Sequence, residues 1–93
     1  MTAFTKDTQT DIGLLVTFIK HWARYQEKWI EAERGSIAEA SFASDKHFYA
    51  ARSYRICVKL GLNPVDTIGT PACQDAYEYD MRRMKEAEAN NAA

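Results

Sequence analysis

His21, His47, Cys57 and Cys73 are the side chains best suited to hold a metal, because imidazole and thiolate are ligands of tetrahedral zinc. Small zinc modules supply such ligands in close pairs, and none of these four has a close partner in sequence, so no metal site is expected. Acidic side chains offer a second chemistry. Asp75 with Asp80, or Glu78 with Glu86, fall on nearby helix surfaces, but isolated acidic pairs ordinarily solvate a helix. The chain has no glycine-rich phosphate loop, no nucleophile elbow and no close Cys/His pair of the protease kind. We therefore expect a non-catalytic protein that needs no cofactor.

The third chemistry is phosphate binding. Arg52, Arg55 and Lys59 recur at three- and four-residue intervals and so share a helical face, with Lys46 and Tyr49 on or beside the same stripe. These five are the DNA-binding candidates. The competing reading is a solvated face that balances Asp45 and the acidic tail, which the formal net charge of -1 favours. Lys20, Arg24 and Lys28 form another row, interleaved with Glu27 and Glu31, and intrahelical ion pairing is the expected use of those charges.

Helices must position all of these groups. Ile12, Leu15, Val16, Ile19, Trp22, Ala23, Trp29 and Ile30 recur at helical spacing and predict one long amphipathic helix, beginning near Thr8 or Asp11 and ending around Arg34-Gly35. Thr8-Gln9-Thr10-Asp11 reads as its cap. Leu15, Trp22 and Trp29 are seven residues apart, as are Ile12, Ile19 and Gln26. That stripe serves either an intramolecular core, the favoured reading, or a seam with another subunit. Ile12, Leu15, Ile19, Trp22 and Trp29 are accordingly the core or assembly candidates, and Phe18 and Tyr25 widen their surface.

Gly35-Ser36 reads as a hinge, with Ser36 and Glu39 capping the next helix reciprocally. Ser41, Ser44 and Asp45 could divide that helix, and continuity is expected after Asp45. Phe48, Ala51, Tyr54, Cys57 and Val58 supply its inward pattern, and Leu60-Gly61-Leu62 its stop. Val65 to Gly69 reads as a connector, and Thr70-Pro71 opens a final helix with Cys73, Ala76, Tyr77, Met81 and Met84 inward. The predicted fold class is an all-α small bundle with a long N-terminal helical hairpin and a shorter C-terminal helix. It forms one domain over 1–93, with flexible termini at about 1–7 and 86–93.

Composition agrees with a globular chain: 46% of residues are hydrophobic, which argues against wholesale disorder, while 27% are charged. A chain this short buries about 60–65% of the surface its unfolded form exposes, so support from a partner is plausible. No apolar run approaches the ~20 residues needed to cross a bilayer, and Met1 to Asp11 is polar, unlike a secretory signal. The expected compartment is the cytoplasm, with reduced thiols and no membrane contact.

Two motifs carry a family resemblance. Asp11 through Glu33, with Trp22-Ala23-Arg24-Tyr25, and Lys59-Leu60-Gly61-Leu62-Asn63-Pro64 resemble, in that order and separation, the P27-like family of phage terminase small subunits. The resemblance implies a helical, ring-forming, DNA-recognising regulator that presents viral double-stranded DNA to a separate ATP-hydrolysing large subunit. Its implied partners are small or large terminase subunits, in a homo- or hetero-oligomer. Val65-Asp66-Thr67-Ile68-Gly69 lacks the basic residues that often follow the family's proline, and the chain is shorter than usual. Both departures suit a shortened relative, such as a satellite-encoded protein that joins a ring and redirects packaging. The alternative is a phage-derived adaptor or inhibitor of a host complex, such as an anti-defence, anti-CRISPR-like protein.

Overall fold

An apolar stripe that repeats along a helix must find a neighbour to cover it. In the computed structural model, which describes residues 6–92, that neighbour is the next helix. The elements are α1 (Lys6–Glu31), α2 (Ile37–Lys59), α3 (Pro64–Ile68) and α4 (Thr70–Ala92), with no strand among the described residues. The expected all-α bundle with a long N-terminal hairpin is therefore observed. Both α1 and α4 pack on α2, which makes α2 the central element.

α1 starts earlier than the cap signal indicated. Lys6 is already helical, and the Thr10 hydroxyl donates to the Lys6 carbonyl at 3.0 Å instead of capping an amide. The helix also ends sooner, at Glu31, and the chain turns through Gly35 at φ 81°. Ser36 then caps α2 by accepting the Glu39 amide at 3.0 Å. The Glu39 carboxylate in return accepts from the Gly35 amide at 3.0 Å, since the Ser36 amide donates to the Glu33 carbonyl at 3.1 Å. The Gly35 amide, and then the guanidinium of Arg34 at 2.6 Å, hold the Glu39 carboxyl below its ordinary pKa.

α2 runs unbroken through Ser41, Ser44 and Asp45, because Phe42, Lys46 and Tyr49 pack inward on either side of them and packing overrides weak local preference. Its stop is a Schellman motif: the Leu62 amide donates to the Cys57 carbonyl at 2.8 Å and the Gly61 amide to Val58 at 3.1 Å, with Gly61 at φ 72°. The expected connector is instead the short helix α3. Asn63 accepts the Asp66 amide at 3.2 Å and Pro64 fills the first turn.

The core is built from small residues. Ala50, Ala51, Cys57, Ala72 and Ala76 are buried together with Leu15 and Ile68. Such side chains let α2 and α4 approach closely and leave no room for bulky ones between them. Hence Tyr54 and Val58 on α2, and Tyr77 and Met84 on α4, expected inside, face solvent. On α1, Leu15 is buried, Ile19 and Trp22 pack against the core and Ile12 and Trp29 are half-buried, so this stripe serves the molecule's own interior. Val16 and Ile30, at its margins, are exposed. Within the ends expected to be flexible, Lys6 and Asp7 are helical and α4 runs on to Ala92. Residues 1–5 and 93 of the predicted flexible ends lie outside the described residues.

Candidate functional site

The predicted DNA-facing stripe lies on α2, and its cations are largely engaged within the fold. Lys46 is buried, not on the surface. Its Nζ donates to Asp75 Oδ1 at 3.1 Å and Oδ2 at 2.9 Å, and stands 4.3 Å from the Trp29 ring centroid. Asp75 likewise does not solvate α4: it is buried, and its Oδ2 also accepts the indole Nε1–H of Trp22 at 2.8 Å. The two heptad-spaced tryptophans of α1 thus bracket an ion pair between α2 and α4.

His47 extends this network. Its Nδ1 lies 2.7 Å from Arg82 Nη2, and because a guanidinium only donates, Nδ1 must accept. The ring proton is thereby assigned to Nε2, which stands 3.5 Å from Asp75 Oδ1. Burial lowers the His47 pKa from 6.5, and the nearby carboxylate of Asp75 only partly opposes it.

Tyr49 sits in a ring cluster, stacked on His21 at 4.9 Å and Tyr25 at 5.7 Å, with Phe18 and Phe48 alongside. Arg55 pairs with Asp80 at 3.2 Å. Lys59 pairs with Asp11 at 2.8 Å, and that hydrogen bond raises its pKa. Arg52 is exposed and lies over the Phe48 ring at 5.0 Å. Carboxylates from α1 and α4 therefore offset three of the four predicted phosphate-binding cations. On α1, Lys28 lies over the rings of Tyr25 and Phe42 instead of pairing along its helix, and Lys20 and Arg24 form no ion pair among the described residues.

The four metal-type ligands are dispersed: His21 joins the aromatic cluster, His47 the Asp75 network, and Cys57 and Cys73 line the α2–α4 region as free thiols. Burial pushes both thiols above their ordinary pKa, which lowers their thiolate fraction near neutrality.

What remains open is an apolar surface that includes Tyr54 and Tyr77, two side chains expected in the interior. Tyr54, Pro64, Val65 and Tyr77 wall a groove of about 310 Å³ between the end of α2, α3 and α4, with Cys73 and Ala76 lining it and Asp80 beside them. Val65 is 52% exposed and Tyr77 63%. The signal that could have found it is Asn63-Pro64, a cap followed by a first-turn proline, which predicts a helix over the next residues and not a connector. No helix of the described residues is long and apolar enough to cross a membrane. Comparison with profiles of known protein families, with curated proteins and with solved structures finds no match to this chain.

Proposed function

We propose that the protein is a non-catalytic binding subunit that acts through the groove walled by Tyr54, Pro64, Val65 and Tyr77, in viral DNA packaging. It joins small or large terminase subunits and thereby selects or redirects the DNA that the assembly accepts. One observation carries the protein-binding part of this reading: three of the four cations suited to DNA are offset by Asp75, Asp80 and Asp11, whereas large apolar side chains stay exposed around the groove. Protein interfaces are built around such apolar and aromatic anchors, while DNA binding draws its affinity from unneutralised Lys and Arg. The packaging part rests on the resemblance of Trp22-Ala23-Arg24-Tyr25 and Leu60-Gly61-Leu62-Asn63-Pro64.

The test is affinity capture of purified phage terminase small and large subunits, using the wild type and Val65→Asp. Capture by the wild type and its loss in the folded variant are expected. No capture of either subunit, or tight salt-dependent duplex binding by the isolated chain, would overturn the reading. Selective capture of a host defence assembly would place the protein among inhibitors.

A further inference from the structure

α4 is longer than the bundle that supports it. Ala72, Asp75, Ala76 and Tyr79 turn toward α2, but every residue from Arg82 to Asn91 is exposed. A free helical arm of that size is marginal in water, since isolated helices shorter than about 12–15 residues rarely persist. The face of α4 left exposed beside α2 also carries a pattern. Tyr77, Met81 and Met84, at four- and three-residue intervals, form an apolar strip, and Tyr77 and Met84 are 63% and 57% exposed. Glu78 and Lys85, seven residues apart, lie together on one flank of that strip, and both are exposed.

We infer that this strip is the contact between two copies of the chain, with α4 paired antiparallel about a two-fold axis near Met81. Self-complementarity selects this occupant. Antiparallel pairing sets Tyr77 of one copy against Met84 of the other, and the same symmetry brings Glu78 opposite Lys85 twice. Parallel pairing would set each charge level with its own kind. An isologous interface requires a patch to complement itself when rotated, and an acid and a base on opposite sides of the axis, three and four residues from Met81, come close to that requirement. The pairing also covers the arm beyond Arg82. The inference rests on the reading of this surface as protein-binding, and names a second copy as the occupant of its α4 side.

Light scattering after size exclusion, over a concentration series of the full chain, tests it. The wild type is expected to approach twice its 10.6 kDa mass. Glu78→Lys and Lys85→Glu should each weaken the dimer at least about tenfold, because each reversal places two like-charge contacts at the interface. The double variant Glu78→Lys/Lys85→Glu should return to within about threefold of the wild type, since both contacts are again opposite in sign. A monomer at all concentrations, unaffected single variants, or failure of the double variant to recover would each overturn the pairing. Terminase capture by a monomeric wild type would sink the dimer alone. A dimer that captures neither subunit would sink the packaging role alone.

Discussion

Trp22 and Asp75, 53 residues apart in sequence, are joined by a 2.8 Å hydrogen bond from the indole nitrogen to the carboxylate. The bond fastens α1 to α4, which otherwise meet chiefly through α2. Lys46 from α2 completes the junction, so one carboxylate fixes the relative placement of three helices. A buried charge is costly unless fully paired, and here each partner satisfies the others.

Removing one member should therefore cost more than removing both. Asp75→Ala is expected to destabilise the fold by about 3–5 kcal/mol, a large share of a small domain's stability, because it leaves the Lys46 ammonium buried and unpaired. The double variant Lys46→Met/Asp75→Leu should recover most of that loss. Urea unfolding of the single and double variants measures both. Equal destabilisation in the two would show that the charges contribute beyond pairing each other.

The pH dependence follows from His47. Its folded pKa is lowered from 6.5, so the folded state binds the proton less readily than the unfolded chain. Stability from this group is fully present above 6.5 and declines as the pH falls from there toward the lower folded value. Protonation removes the Nδ1 acceptor and sets an imidazolium against Arg82 and Lys46, with Asp75 and Glu78 compensating in part. The urea midpoint should fall across that window, and His47→Gln should flatten the slope. An unchanged slope in the variant would assign the dependence to other groups.

The long first helix, the Gly35-Ser36 turn, the Gly61 stop and the final helix were legible in sequence because periodicity and capping are local signals. The rotation of α2 and α4 was not. Tyr54, Val58, Tyr77 and Met84 match an inward pattern by hydrophobicity alone, and only the burial of Ala50, Ala51, Ala72 and Ala76 shows that small residues set the contact. The candidate surfaces were hidden for the same reason. Sequence spacing groups Lys46 with Arg55, but the carboxylates that neutralise them, Asp75 and Asp80, come from another helix.

Arg52 and Arg55 can be tested without risk to the fold. Both are exposed, and the Arg55 to Asp80 pair at 3.2 Å is a surface contact of the kind worth 0–1 kcal/mol. Arg52→Ala/Arg55→Ala should leave the melting temperature nearly unchanged and, on the protein-binding reading, leave terminase capture intact. A selective loss of salt-sensitive duplex binding in the folded variant would restore this stripe as a DNA contact.

Gly61 isolates the backbone contribution to the helix stop. Its φ of 72° lies in the left-handed region, yet a Cβ built there meets nothing within 4 Å, so substitution meets no steric neighbour. Gly61→Ala should then cost about 1–2 kcal/mol from the conformation alone. Gly61→Asn should cost less, because asparagine tolerates that region through local hydrogen bonding. Equal losses for the two variants in urea unfolding would show that the site is limited by contacts of the side chain and not by φ. A loss well above this range for Ala would mean that the Leu62 to Cys57 bond, which the left-handed residue aligns, also holds α3 in place.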